Sequence, residues 1–242
     1  MTQPHPTFPA YSFEDAAREV STSAIKYGDE SDQVLEFYGQ ANSDKPTLVL
    51  IHGGYWRNLF DREHMRPLAV ALAKAGFNVV LPEFRRVAGD PDTTLRDLAF
   101  ALSTLEDQKL ILIGYSSGGH LALLLADKYP SIKKVIGLAP VVDLIESQRL
   151  ELGRGAVLEW LGKDGALRPE LDPIARPPIK AETIFIHGNL DERVPLHLTQ
   201  KYIEEMRMQG KAIALEILPG TTHFEMMNIP SSTFDAVIRA IG

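Results

Sequence analysis

The chain has 242 residues, a length that suits one large α/β domain, with 45% apolar and 24% charged residues in an ordinary globular mix. Its formal net charge of −7, with no basic run, argues against a nucleic-acid partner or an anionic membrane surface. The absence of cysteine excludes disulfides, thiol catalysis and cysteine-ligated metal.

Met1-Thr2-Gln3-Pro4-His5-Pro6 lacks the cationic start and apolar core of a signal peptide, and no apolar run approaches the ~20 residues of a spanning helix. The expectation is a cytoplasmic protein without membrane contact. Residues 1–20 read as a surface arm, Pro-rich at first and weakly helical from Phe13 to Val20. Ser23–Tyr27 and Gln33–Gly39 alternate in polarity around a turn at residues 28–32, which predicts an antiparallel hairpin. Thr47–Ile51 is apolar throughout, the mark of a strand buried on both faces, and it runs into His52-Gly53-Gly54-Tyr55-Trp56. A helix is expected from Pro67 to Lys74, with Gly76 just past its end, and then a strand at Asn78–Pro82.

Between Thr93 and Glu106, Leu95, Leu98, Ala99 and Leu102 fall at helical spacing and define one apolar stripe. The strand Lys109–Gly114 leads into Tyr115-Ser116-Ser117-Gly118-Gly119-His120 and a helix apolar on nearly every side. Val135–Ala139, Glu182–His187 and Ala212–Leu218 supply further strands. Helices at Pro195–Met208 and Ser232–Ile241 follow the last two, the second with Phe234, Val237, Ile238 and Ile241 on one face. Alternating strands and helices predict a single domain over 1–242, built on a mostly parallel, doubly wound sheet with an N-terminal antiparallel hairpin. Residues 143–178 break the rhythm with a short helix at Ala156–Leu161 and a passage carrying Pro169, Pro173, Pro177 and Pro178. An insertion there reads as a small cap over the carboxyl edge of the sheet.

Gly114-x-Ser116-x-Gly118 between a buried strand and a helix is the nucleophile-elbow pattern, in which the serine sits on a strained turn. A serine hydroxyl needs a base to take its proton, and that base needs a carboxylate to fix its tautomer. Asp191 and His223 follow strands in the required order, each emerging at a carboxyl end, where open α/β sheets place their sites. Glu192 and Asp143 are rival acids, and Asp191 could instead cap the helix near Pro195. Among the other histidines, His5 belongs to the arm, and His64 and His197 fall on helical surfaces. His120 faces into the elbow helix, His187 bonds locally, and His52 holds the glycine loop. The glycines after the central strand allow backbone amides to approach a developing oxyanion, with Gly54, Tyr55 and Ser117 as the candidate donors. Arg85, Arg86 and Arg96 read as surface or fold-stabilising groups rather than substrate ligands. Neither a phosphate loop nor a metal-ligand spacing is present, so no cofactor or metal is expected.

With these motifs the chain resembles the α/β-hydrolase superfamily. His52-Gly53-Gly54-Tyr55-Trp56 resembles the HGGXW motif of the kynurenine formamidases (arylformamidases), which cleave N-formyl-L-kynurenine to L-kynurenine and formate. The resemblance covers essentially the whole fold and implies Ser116 as nucleophile, Asp191 as orienter and His223 as base. Esterases of the hormone-sensitive-lipase type carry a third glycine where this chain has Tyr55, which favours the formamidase group. The expected partner is a small acyl substrate, with Tyr55, Trp56 and Tyr115 as candidate pocket walls. The alternatives are a carboxylesterase for short-chain esters and a non-catalytic binding protein on the same fold. A carboxylate on the substrate would want a cation, and Arg57, Arg149 and Arg154 are unranked candidates. The sequence leaves a homodimer open.

Overall fold

The computed structural model describes residues 11–40, 45–162, 164–229 and 231–242, so the first half of the arm expected over residues 1–20 lies outside them. Among the described residues, eight strands form one sheet: β1 (Thr22–Lys26), β2 (Val34–Tyr38), β3 (Thr47–Ile51), β4 (Asn78–Pro82), β5 (Leu110–Tyr115), β6 (Ile132–Leu138), β7 (Glu182–Gly188) and β8 (Ala214–Leu218). They lie in the order β1-β2-β4-β3-β5-β6-β7-β8. β1–β2 and β2–β4 pair antiparallel and every later pair is parallel, so the predicted hairpin closes one edge of a parallel sheet. Neighbouring residues of a strand point to opposite faces. Val49 and Ile51 therefore enter one core with Leu112, while Leu48 and Leu50 enter the other with Ile111 and Ile113.

Helices cover both faces. α3 (Pro91–Ser103), α4 (Ser117–Leu125) and α7 (Leu196–Met208) bury Leu98, Leu121 and Tyr202 in the first core. α1 (Phe13–Glu19), α2 (Arg66–Lys74) and α8 (Ser232–Ile241) bury Ala16, Leu72 and Val237 in the second. In α8 the expected face holds, with Val237 and Ile241 buried and Phe234 and Ile238 partly buried against the same cluster. Among the described residues no helix is long and apolar enough to cross a membrane.

The insertion contains α5 (Leu144–Arg149), which the sequence pattern did not announce, then α6 (Ala156–Leu161) as expected, and a run of short 3₁₀ turns. α5 is six residues long and starts because Asp143 accepts from the Glu146 amide at 2.8 Å. β6 begins three residues earlier than its apolar run. Lys134 there extends its amine to the Ala240 carbonyl at 2.7 Å, which lets a charged residue sit in the strand. Chain order reverses around β3, since the chain leaves it for β4 and returns past it to β5. Loops after β3 and β5 diverge at such a point, and the resulting crevice holds the candidate site.

Candidate active site

The elbow is built by close backbone approach. A Cβ on Gly118 would lie 2.0 Å from the Ile51 carbonyl oxygen, so only glycine lets α4 start this near β3. Ser116 takes φ 55° and ψ −121°, a conformation that costs a non-glycine residue ~1–3 kcal/mol and persists only where its surroundings enforce it. Its amide donates to the Leu138 carbonyl at 2.8 Å and its carbonyl accepts from Gly119 at 3.0 Å.

Ser116, His223 and Asp191 meet at the carboxyl edge of the sheet, 2%, 3% and 8% exposed. His223 Nε2 lies 3.0 Å from Ser116 Oγ, and His223 Nδ1 lies 2.7 Å from Asp191 Oδ2. With the Nδ1 proton donated to the carboxylate, Nε2 is left to accept the serine proton. The other carboxylate oxygen accepts from the Arg193 and Val194 amides, both at 2.8 Å. Burial alone would raise the Asp191 carboxyl. Hydrogen bonds from His187 and His223, with the Val194 amide, hold it well below the usual carboxylate range. Asp191 thus stays an anion facing the imidazole.

The rival acids are engaged elsewhere. Asp143 caps α5 and accepts from Lys201 Nζ at 2.7 Å, while exposed Glu192 lies 3.6 Å from Arg193 Nε. His187 donates to the Val194 carbonyl at 2.9 Å and lies 3.3 Å from Asp191 Oδ2, bracing the Asp191 loop. His197 is exposed on α7. His64 departs from expectation: it lies in a 3₁₀ turn, edge-on to the His52 and Tyr115 rings at 5.9 and 6.0 Å, rather than on a helix surface. His120 is fully buried on α4 and bonds the Leu171 carbonyl at 2.8 Å; burial pushes its pKa down to about 4. Tyr115, expected as a pocket wall, instead packs against His223. It is 2% exposed, its ring stacks on His223 at 5.0 Å, and its hydroxyl donates to the His223 carbonyl at 2.9 Å.

The candidate oxyanion loop turns sharply, with positive φ at Gly54 (120°), Tyr55 (54°) and Trp56 (57°). It lies directly on the elbow, since a Cβ on Gly53 would sit 3.0 Å from Ser116 Cβ. The Ser117 amide is in the first turn of α4, where no intrahelical acceptor exists. Behind the loop, His52 stacks on Phe84 at 4.4 Å and contacts the Gly53 carbonyl at 2.8 Å through Nδ1. Glu83 lies 3.2 Å from His52 Nε2, pairs with Arg86, and accepts from the Arg62 amide at 3.0 Å. Burial would raise Glu83, but His52 and Arg86 hold it well below the usual range. Arg62 and Arg66 continue this buried network to Glu36, while Arg85 pairs with Asp97 at 2.7 Å. Sequence reasoning missed the network, although an acidic residue closing the apolar strand β4 was its visible sign.

Tyr55 and Trp56 line a cavity of about 300 Å³ together with Arg57, Arg86, Glu159 and Trp160. Arg149 instead pairs with Glu146 on the surface of α5, and Arg154 is exposed.

The family model for the alpha/beta hydrolase fold matches residues 46–163. Over 236 residues the chain is 24% identical to acylamino-acid-releasing enzyme 2 of Oryza sativa subsp. japonica, covering 82% of this chain and 30% of that protein. Over 147 residues it is 28% identical to kynurenine formamidase of Danio rerio, covering 54% of this chain and 50% of that one. The chain thus spans only 30% to 50% of the length of these curated relatives. Among solved structures, the phosphonate-inhibited esterase B of Lactobacillus rhamnosis superposes with a TM-score of 0.76 at 18% identity, over 92% of this chain and 85% of that one. The chain has the α/β-hydrolase fold.

Proposed function

We propose that the protein is a serine hydrolase for small acyl groups, working without a cofactor. The observation that carries this reading is the hydrogen-bond chain from Ser116 Oγ through His223 to Asp191, at 3.0 and 2.7 Å. Ser116 attacks the acyl carbonyl while His223 Nε2 takes its proton. The imidazolium, steadied by Asp191, then protonates the leaving amine or alcohol. Water cleaves the acyl-enzyme by the same route. The amides of Ser117, Gly54 and Tyr55 receive the charge that develops on the carbonyl oxygen, and losing one such donor typically costs ~10²–10³ in kcat.

For the substrate, we place N-formyl arylamines such as N-formylkynurenine first. The HGGYW loop and the match to a kynurenine formamidase support this reading. A formyl group needs almost no acyl pocket, which leaves the aromatic walls for the aryl part. A short-chain carboxylesterase is the second reading, supported by the likeness to esterase B.

Purified protein decides between the two. On the first reading, kcat/KM for N-formylkynurenine exceeds that for p-nitrophenyl acetate, and the reverse ranking selects the esterase. Ser116→Ala is expected to lower kcat by ~10⁴ or more on either substrate, and full activity in that variant would remove both readings.

A further inference from the structure

The cavity beside the loop has a composition that the triad does not require. Its walls include Trp56 and Trp160, stacked at 4.8 Å with an interplanar angle of 13°, the two tryptophans of the chain. Two guanidiniums and one carboxylate face it: Arg57, Arg86 and Glu159. Successive Cα atoms are ~3.8 Å apart, so Tyr55 on its rim stands no more than ~7.6 Å along the chain from Gly53, which touches Ser116. Its volume is at the lower end of small-molecule sites.

The two arginines differ in how they are held. Arg86 is 5% exposed and fixed by Glu83 and by the Phe84 carbonyl at 2.6 Å. Its Nε–H is buried with no acceptor among the described residues. It contributes a charge that stays in place. Arg57 bonds a single oxygen of Glu159, Nε at 2.9 Å and Nη2 at 2.6 Å, and both side chains are partly open to solvent. A partly exposed pair of this kind contributes little to stability, so exchanging it for a ligand carboxylate costs little. A guanidinium fork matches a planar carboxylate through two parallel hydrogen bonds.

We propose that this cavity recognises a carboxylate carried on the part of the substrate away from the scissile bond. Arg57 leaves Glu159 to bind it, Arg86 supports it from behind, and half-buried Tyr55 borders the adjoining ring, with the buried indole pair behind it. The inference rests on the serine-hydrolase reading only in treating the cavity as part of the substrate site, and it holds for a formamide or an ester alike.

Because both tryptophans lie in the cavity wall, intrinsic tryptophan fluorescence reports on it without any turnover. Titration of the wild-type protein with benzoate is expected to change the emission saturably, with a Kd at least ~10-fold below that of its neutral analogue benzamide. Arg57→Gln should abolish the preference, and Glu159→Gln, which frees Arg57, should strengthen benzoate binding several-fold. Equal affinities for benzoate and benzamide, a preference that survives Arg57→Gln, or no saturable response would each overturn the proposal. Tighter binding of phenyl phosphate than of benzoate would also overturn it, by reassigning the anion. Loss of turnover with benzoate binding intact would count against the hydrolase reading alone.

Discussion

The two sides of the site are held by different means. On the β7–β8 side, Asp191 and His223 are positioned by short loops and mostly neutral groups: the Arg193 and Val194 amides, His187 and the Tyr115 hydroxyl. On the β3–β4 side, the loop carrying Gly54 and Tyr55 is backed by Glu83, Arg86, Arg62, Arg66 and Glu36, all little exposed. The difference follows from what each side must hold. Asp191 and His223 contribute side chains whose rotamers hydrogen bonds can fix locally. The loop must keep three successive residues at positive φ. Such backbone relaxes unless its surroundings over-determine it, and buried, mutually paired charges provide that constraint.

Each side of the site can be disturbed separately. The largest effect is expected from Asp191→Asn, which spoils the tautomer of His223: kcat should fall by ~10⁴ with the fold intact, whereas Asp143→Asn should leave kcat nearly unchanged. If steady-state kinetics rank the two in the opposite order, the acid is misassigned. Glu83→Gln should come next. Removing one partner from a buried ion network costs ~3–5 kcal/mol, so thermal denaturation should show a lowered Tm. A displaced loop should lower kcat by ~10–10² while KM for a small ester moves little. An unchanged kcat beside a lowered Tm would limit Glu83 to a role in stability.

Tyr115→Phe should have a smaller effect on the other side. It removes one hydrogen bond to the His223 carbonyl, worth ~1 kcal/mol, and should lower Tm by a few degrees and kcat by a few-fold. The last effect lies in the insertion and concerns stability rather than turnover. Asp172 is fully buried and accepts from the Leu144 amide at 2.9 Å; burial, with the charge of Asp143, raises its pKa to about 6. Between its unfolded value near 4 and about 6, the native state holds a proton that the unfolded state has released. This group therefore makes stability fall as pH rises through that window, by an amount on the order of 2–3 kcal/mol. Asp172→Asn should remove that component, so the variant gains Tm relative to wild type at pH 7.5 more than at pH 4.5. A difference between the two proteins that is the same at both values would exclude this titration.

Much of this molecule is readable along the chain because its signals are local. β4 occupies Asn78–Pro82 as its apolar run predicts, and the glycines around Ser116 mark a turn whose close approaches no side chain would allow. Asp191 and His223 could be picked out because each follows a strand. The features not foreseen depend on residues far apart in sequence. Glu159 and Trp160 reach Arg57 and Trp56 across about a hundred positions, and Glu36 reaches Arg62 and Arg66 across about thirty. Tyr115, expected as a pocket wall, directly precedes Ser116 in sequence. Strand alternation sends its side chain to the face opposite Ile51 and Leu112, where it meets His223.

The Tyr115 hydrogen bond also has a dynamic consequence. It joins the residue before Ser116 to the residue proposed as base, across 108 positions of sequence. A local opening that pulls β5 away from β6 would break the Ser116 amide bond to Leu138 and drag the His223 loop with it. The elbow and the base loop should then form one cooperative unit in native-state hydrogen exchange, with matching opening free energies and the same response to denaturant. The protein would rarely hold Ser116 in place while His223 is displaced: the pair opens and closes as a single piece.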